Sequence, residues 1–285
     1  MKVSVIIPTF KPGDYLFACL HSLFKQTMKP SDFEILLILN GCSEPYYSNI
    51  KNYILRNNFS NLKLIRTDEK GVSAARNIGL EHSQGDYVCF IDDDDYVSTT
   101  YLEDLYSTVS PDSISICPLK CFKDGAEMEL YDDYITKNYN YLVENRNGRI
   151  TLLSARHYFS NPVCKLIPIE VARKGSFNSS VSIGEDGLYF FKISPYIKNI
   201  ELAPKSAVYY RRIRENSSSR HVDHKSKIKK LFSLLWQYLI SWFKSPFRYN
   251  VIFLMTRLAA VIFSIAVNFK NFLVAYLSNM NAHAL

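Results

Sequence analysis

The sequence predicts an α/β fold in which a doubly wound, mostly parallel sheet forms the first hundred residues. Two runs of β-favouring residues, Val3 to Ile7 and Phe33 to Leu39, lack regular polar alternation, as do strands that are covered on both faces. The segment between them, Asp14 to Gln26, carries apolar residues at helical spacing. Strand, helix and strand in this order are typical of a parallel sheet.

The same patterns predict the remaining elements of this half. Pro8 stops the first strand, and Asn40-Gly41 stops the second. We then expect a third strand at Leu62 to Arg66, a helix at Ser73 to His82 and a fourth strand at Tyr87 to Ile91.

Polar residues follow three of these predicted strands at the point where each ends. They are Pro8-Thr9, Asn40 and the run Asp92 to Asp95. Because ligands of doubly wound sheets bind at the carboxyl ends of the strands, we expect these residues to lie along one functional edge.

Beyond residue 106 the pattern loosens. Short apolar runs remain, and the Tyr- and Asn-rich stretch Tyr131 to Tyr141 predicts a mobile loop. The length of 285 residues allows one large or two modest units. With 47% hydrophobic and 21% charged residues, the composition excludes a disordered chain.

The last eighty residues differ in charge from the rest. Residues 205 to 285 hold 13 Lys and Arg against 2 Asp and Glu, a net charge of +11, which leaves 21 against 25, a net charge of −4, for residues 1 to 204. A lysine cluster, Lys225 to Lys230, precedes apolar residues spaced along one helical face, and Pro246 then breaks the helix. This pattern predicts a basic amphipathic helix.

A second, more apolar stretch follows at Val251 to Leu277. Arg257 and Lys270 interrupt it and leave only 12 uncharged residues between them, whereas a spanning helix needs about 20. We therefore expect residues 225 to 285 to lie in the interface of a membrane. A soluble helical hairpin that packs on the body is the alternative. The dense Leu, Phe and Trp stripe is unlike a groove-binding arm, so we expect no nucleic-acid partner.

The run Asp92-Asp93-Asp94-Asp95 is the sharpest chemical feature. Adjacent carboxylates repel one another and require compensation, and Mg²⁺ or Mn²⁺ shared with substrate phosphates is the usual compensator at nucleotide sites. The alternative is an N-cap for a helix near Thr99 to Tyr106. An EF-hand is excluded because Val97 stands where that loop needs glycine.

These residues belong to an ordered series of motifs that resembles glycosyltransferase family 2. The series comprises Val3 to Phe10, Cys19 to Thr27, Gly71 to Gly79, Gly85-Asp86-Tyr87 with the aspartate run, Asn161 to Leu166, Gly184-Glu185-Asp186 and Tyr209 to Ser217. Seven motifs in register make a chance match improbable.

The resemblance implies a GT-A fold with a Rossmann-like nucleotide-binding half at residues 1–105. It further implies an acceptor-binding and catalytic half at 106–222, followed by a helical tail at 223–285. Such enzymes are inverting transferases that use nucleotide sugars and a metal bound by a DxD motif, and they include bacterial surface-polysaccharide enzymes.

Mapped onto this chain, the resemblance makes Asp92-Asp93-Asp94 the DxD motif. Asp92 would face the ribose and the metal, Asp93 would contact the donor, and Asp94 would be the most direct metal ligand. His221 would complete the metal shell or contact the diphosphate; a solvated loop histidine is the alternative.

The resemblance also implies residues that bind the donor. Pro8 and Thr9 would border the nucleoside, and Arg76 and Asn77 would face the diphosphate or base, with a solvated helix face as the alternative. Lys165, Arg211 and Arg212 are candidate phosphate contacts, with ordinary surface charge as the default interpretation. Where family members often carry Asp at the end of the second strand, this chain has Asn40, whose amide can hydrogen-bond a pyrimidine edge. An Asn-Gly turn without a ligand is the other interpretation.

Glu185-Asp186 resembles the family's acidic pair for catalysis. Asp186 would be the base and Glu185 an orienting or acceptor-binding neighbour; both also suit the first turn of a helix. We thus expect a metal-dependent, inverting transferase at the inner face of the cell membrane, with a UDP-sugar favoured and a glycan or lipid-linked glycan as acceptor. A nucleotidyl or phosphoryl transferase and a non-catalytic nucleotide-sugar-binding protein on the membrane are the alternatives.

Overall fold

The structure, a computed structural model, describes residues 1–123, 129–145, 148–213 and 223–282. The strands are β1 Val3–Thr9, β2 Phe33–Asn40, β3 Leu62–Thr67, β4 Tyr87–Phe90, β5 Tyr96–Val97, β6 Ser113–Ile116, β7 Leu119–Phe122, β8 Leu130–Asp132, β9 Lys165–Pro168, β10 Asn199–Leu202 and β11 Tyr209–Arg212. The α-helices are α1 Tyr15–Phe24, α2 Tyr46–Asn57, α3 Val72–His82, α4 Tyr101–Thr108, α5 Tyr134–Glu144, α6 Ile169–Ala172, α7 Glu185–Ile193, α8 His224–Phe243 and α9 Val251–Ala282.

Seven strands form one large sheet in the order β10-β6-β9-β4-β1-β2-β3. The first four strands along the chain are parallel, with Val3 opposite both Phe33 and Tyr87. Within this sheet only β9 runs antiparallel to its neighbours. The predicted α/β fold with a mostly parallel sheet is confirmed. Strands from before and after residue 105 belong to this one sheet. The predicted boundary between a nucleotide-binding half and an acceptor-binding half therefore remains a prediction about function.

The strands of the sheet centre are buried along their whole length, as their apolar sequences predict. Every residue of β1 and β2 is buried, and α3 packs against both strands. Because β1, β2 and β4 are parallel, their carboxyl ends at Thr9, Asn40 and Phe90 lie on one edge of the sheet, where Asp92 follows, as expected.

A second sheet, ordered β5-β11-β7-β8, lies beside that edge. Strand β11 pairs antiparallel with β5 and parallel with β7. Since β5 begins one residue after Asp95, this pairing brings the second half of the chain up to the aspartate run.

One prediction about secondary structure is wrong, and one helix was not predicted. The stretch Tyr131 to Tyr141 is not a loop: it contains part of β8 and most of α5, which buries Ile135, Tyr139 and Leu142. Their spacing of four and three residues is helical, but the surrounding Tyr and Asn residues hide it. Helix α2 was also not expected, because Ile50 is its only fully buried residue and its apolar stripe is correspondingly weak.

The tail forms a hairpin of α8 and α9, with the break at Pro246 between them. His224 Nδ1 lies 3.2 Å from Asn268 Oδ1 and joins the two helices. One side of the hairpin packs on the body through Leu234, Tyr238 and Phe253, which are buried. The soluble-hairpin alternative is therefore correct about the packing.

The opposite side of the hairpin is apolar and exposed. Within the described residues, one segment, Val251–Val274 of α9, is long and apolar enough to cross a membrane, with a mean hydropathy of 2.1 and 28% of its most apolar window buried. Arg257 does not interrupt the outer face as the sequence suggested, because it is 8% exposed and its guanidinium donates to Arg156 O, Phe159 O and Ser160 Oγ.

Candidate active site

A cleft of about 810 Å³ opens at the carboxyl edge of the large sheet. It is lined by the ends of β1, β2 and β4, the start of α3 and the start of α7. The lining residues are Pro8, Thr9, Phe10, Tyr15, Asn40, Lys70, Gly71, Val72, Arg76, Asp92, Asp93, Asp94 and Glu185. Seven of the residues predicted to bind substrate or catalyse transfer therefore meet at one cleft: Pro8, Thr9, Asn40, Arg76, Asp92, Asp93 and Glu185.

The first three aspartates of the run face this cleft. The Asp92 side chain is 37% exposed, and its Oδ1 accepts a hydrogen bond from Arg76 Nη2 at 3.1 Å. Asp93 Oδ2 accepts a hydrogen bond from Thr9 Oγ1 at 2.5 Å, which ties the end of β1 to the aspartate run. Cleft-facing carboxylates at strand ends suit the binding of a cation and phosphates.

Asp95 points away from the cleft and is buried. Its carboxylate accepts hydrogen bonds from Tyr209 Oη at 2.7 Å and from the Arg212 amide at 2.8 Å. Burial and the charges of Asp92 and Asp94 raise the pKa of Asp95 well above its usual value. Asp95 thus anchors β11 to the site. None of the four aspartates caps α4, whose N-cap is Thr100, so the N-cap alternative is wrong.

Arg76 connects the two acidic motifs. It is 4% exposed and donates from Nη2 to Asp92 and from Nη1 to Asp186, the latter at 2.7 Å. Its guanidinium lies 5.4 Å from the centre of the Phe177 ring. Although burial lowers the pKa of Arg76, the charges of Asp186 and Asp92 raise it above its usual value. The solvated-face alternative for Arg76 is therefore wrong.

Glu185 and Asp186 form the first turn of α7, where acidic side chains favour the helix dipole. Glu185 lines the cleft, and the adjacent Asp186 has a side chain that is 20% exposed and paired with Arg76. Burial raises the pKa of Asp186 to about 6, with the charge of Arg76 opposing and that of Glu185 adding to the effect. A carboxylate with such a pKa accepts a proton near neutral pH.

A divalent ion fits this site only if a ligand shares it. No group of three or more His, Cys, Asp or Glu side chains able to hold a metal occurs within the described ranges. Mg²⁺ at nucleotide sites is usually held by one or two carboxylates with phosphate oxygens. Asp92 and Asp94 supply such carboxylates at the cleft.

Three predicted donor contacts take different roles in the structure. Lys165 is fully buried and donates at 2.7 Å to both Asn161 O and Val163 O, so it cannot reach a phosphate in the cleft. Asn77 exchanges two hydrogen bonds of 2.9 Å with the Phe177 backbone and does not line the cleft. Arg211 forms an ion pair with Asp133 at 3.1 Å.

Asn40 lines the cleft, but both ends of its amide are used in the protein. Nδ2 donates to Thr9 O at 2.8 Å, and Oδ1 accepts from the Gly71 amide at 3.1 Å. Asn40 therefore joins β1 to the start of α3, which fixes the orientation of its amide at the cleft. Arg212 Nε donates to Asp94 O at 2.9 Å. His221 lies outside the residues that the structure describes.

Sequence reasoning missed three residues that line the cleft. Phe10, 50% exposed, directly follows β1, and Tyr15 and Lys70 lie nearby on the wall. An aromatic side chain at a strand end beside an expected nucleotide site was the available signal for Phe10. Lys70 precedes Gly71 and α3, where only the fold shows that it reaches the cleft.

The sequence and the fold both match known proteins. A sequence model of the family described as "Glycosyl transferase family 2" matches residues 4–161, more than half of the chain. The poly(ribitol-phosphate) beta-N-acetylglucosaminyltransferase TarP of Staphylococcus aureus is 25% identical over 254 residues, 87% of this chain and 74% of that protein. The glycosyltransferase YibD of Escherichia coli is 33% identical over 129 residues, 44% of this chain and 36% of that protein. The chain spans about a third of the length of several such relatives, including YibD.

Two solved structures show the fold. Residues 1–349 of S. aureus TarS, in complex with UDP-GlcNAc, superpose with a TM-score of 0.64 at 23% identity and cover 84% of this chain and 67% of that one. The mannosyltransferase PcManGT of Pyrobaculum calidifontis, in complex with GDP-Man and Mn²⁺, gives a TM-score of 0.60 at 16% identity and covers 99% and 80%. The GT-A fold expected from the motifs is confirmed.

Proposed function

Because the chain belongs to glycosyltransferase family 2, and is thus a glycosyltransferase, we propose that it transfers a sugar with inversion from a nucleoside diphosphate donor to a hydroxyl of a glycan or lipid-linked glycan in surface-polysaccharide synthesis. The observation that carries the proposal is the single cleft at which Asp92, Asp93, Asp94, Arg76 and Glu185 meet. Acidic residues for a cation and an acidic pair for proton transfer are what this reaction needs.

The donor occupies the cleft with its diphosphate toward the aspartates. The cleft volume of about 810 Å³ lies within the usual range for small-molecule sites. Phe10 and Tyr15 offer aromatic surface to the base. A UDP-sugar is favoured, since TarS was solved with UDP-GlcNAc. PcManGT was solved with GDP-Man, so the nucleotide base of the donor is to be tested by experiment.

Asp94 and Asp92 would hold the divalent ion together with the donor phosphates. When bound, Mn²⁺ or Mg²⁺ neutralises negative charge on the departing diphosphate. Arg76 fixes the orientation of Asp92 through its hydrogen bond and holds Asp186 on its other side.

In the transfer step, the bond between the anomeric carbon and the diphosphate oxygen breaks, and the diphosphate leaves with the electron pair. The acceptor oxygen forms the new bond from the opposite face, which inverts the configuration. Its proton passes to the carboxylate of Asp186, which is largely ionised at neutral pH because its pKa is about 6. Glu185, on the cleft wall, orients the acceptor.

The tail supports a place at the inner surface of the cell membrane. The outward side of α8 and its C-terminal loop present Phe232, Trp236, Phe243 and Phe247, each more than half exposed. Exposed lysines, Lys225 and Lys229, lie on the same side. A basic helix with exposed aromatic residues binds the interface of anionic membranes.

Calorimetric titration with UDP and GDP, with and without Mn²⁺, tests the donor site. We expect one nucleotide to bind more tightly with Mn²⁺, and Asp94→Ala to remove that metal dependence. Asp112→Ala is the matched control, because Asp112 lies beside the amino end of β6, away from the cleft, in a surface ion pair with Lys198. Unchanged metal-dependent affinity in Asp94→Ala would contradict the DxD assignment.

Asp186→Asn tests the base. It should bind nucleotide sugar with wild-type affinity and lose transfer. Wild-type turnover in this variant would remove Asp186 from the base role. A phosphoryl transferase would release a different product from the same nucleotide sugar, and a binding protein would release none.

A further inference from the structure

The tail hairpin touches the catalytic half at the turn that carries the acidic pair. Leu234 and Tyr238, one helical turn apart on α8, are each 3% exposed and lie against the start of α7. Tyr238 also packs edge-to-face on Phe191 of α7, with ring centres 5.2 Å apart. The contact is therefore part of the protein core.

Two glycines make this close approach possible. A Cβ on Gly184 would lie 2.5 Å from Leu234 Cδ2, and a Cβ on Gly187 would lie 2.9 Å from Tyr238 Oη. Gly184 also has φ of +75°, which disfavours other residues. Glu185 and Asp186 stand between these glycines, so the face of α8 sets how far their turn can move.

One side of helix α8 packs on the protein body and the opposite side is exposed. With 3.6 residues per turn, Leu234 and Tyr238 project roughly opposite to Phe232 and Trp236, which are 57% and 61% exposed. One helix therefore separates the acidic turn from the side that we assign to the membrane.

We infer that α8 is a positioning element of the active site: Leu234 and Tyr238 fill the space above Gly184 and Gly187 and hold the turn of Glu185 and Asp186 in place. The inference rests on the proposed function, because it assigns importance to that turn. A misplacement of about 1 Å can cost about a hundredfold in rate. It follows that deleting residues 225 to 285 would remove part of the active site together with any membrane contact.

The first test measures the position of the turn without any substrate. Hydrogen–deuterium exchange on the full chain should show at least tenfold faster exchange at the start of α7 in Leu234→Ala than in wild type. Leu55→Ala is the matched control, because Leu55 lies on α2 and is 68% exposed. Equal exchange of α7 in wild type and Leu234→Ala would overturn the inference.

The second test uses rescue. Gly187→Ala should lower kcat for UDP release from UDP-N-acetylglucosamine with Mn²⁺ at least tenfold, with KM within twofold. Adding Tyr238→Phe removes the hydroxyl that the new methyl group meets and should restore most of that rate. If the probe is not turned over, the same pair of variants is compared by exchange at α7, where Gly187→Ala should accelerate exchange and the second substitution should reverse it.

The two proposals fail in different ways. Loss of turnover in Asp186→Asn together with an unchanged rate in Gly187→Ala would overturn the role of α8 alone. A Gly187→Ala defect that Tyr238→Phe does not reverse would also overturn it. Full activity of Asp186→Asn would instead overturn the base assignment.

Discussion

Arg76 Nη1 donates a hydrogen bond of 2.7 Å to Asp186 Oδ1, although the two residues are 110 positions apart in the chain. The same guanidinium holds Asp92 at 3.1 Å. Asp92, two residues beyond the end of β4, and the residue proposed as the base are thus fixed relative to each other by one side chain. The proposed donor and acceptor sites share this link, which makes it the first target for mutation.

Replacing Arg76 by Lys should impair both stability and turnover. Lysine keeps the charge but cannot bond two carboxylates in a planar fork. We expect unfolding to cost ~3 kcal/mol less, the low end for disrupting a buried pair, because Asp92 remains partly exposed. Chemical denaturation and nucleotide release measure the two effects. Arg66→Lys, in an exposed pair with Asp68, is the control and should change neither.

The rate should depend on pH through Asp186. Because its pKa is raised to about 6, the ionised base is lost as the pH falls through 6, and kcat/KM should then fall tenfold per pH unit. The charge of Arg76 lowers this pKa and that of Glu185 raises it. The acid limb should therefore move to higher pH in Arg76→Gln and to lower pH in Glu185→Gln. Shifts in the same direction would contradict the assignment.

Lys165→Met should affect stability and spare donor affinity. Its ammonium donates to Asn161 O and Val163 O in the core, and loss of a buried donor leaves these carbonyls unpaired. We expect the free energy of unfolding to fall by about 2 kcal/mol, while calorimetric affinity for the nucleotide stays within twofold of wild type. A large loss of nucleotide affinity would instead support the original prediction that Lys165 contacts a phosphate.

Membrane binding should depend on the outward side of α8. Lys225→Gln combined with Lys229→Gln removes about 2 kcal/mol of attraction to an anionic surface, roughly a thirtyfold lower partition coefficient. Sedimentation with vesicles of phosphatidylcholine and phosphatidylglycerol measures it. Lys51→Gln with Lys63→Gln, on exposed positions of α2 and β3, is the control. Equal loss in both pairs would indicate a general charge effect.

The sequence was most informative where the signal is local. Strands that are covered on both faces are visible as apolar runs, because every side chain along them is buried. The end of β2 at Asn40 was predicted correctly, whereas β1 continues through Pro8 to Thr9. In the same way, the ordered motifs indicated the family and the cleft. Local patterns failed at α5, where aromatic and amide residues masked a helical stripe.

Which residues far apart in the sequence contact each other was decided by the tertiary structure. Asn77 and Lys165 belong to motifs of the family series, yet one pairs with the backbone of Phe177 and the other is buried beneath the site. The chemical type of a side chain determines which groups it can hydrogen-bond, whereas the packing of the folded chain determines which of those groups lie within reach. For this reason the sequence by itself determined the sheet and the acidic cleft edge, and only the folded chain placed Arg76 between Asp92 and Asp186 and seated Leu234 on Gly184.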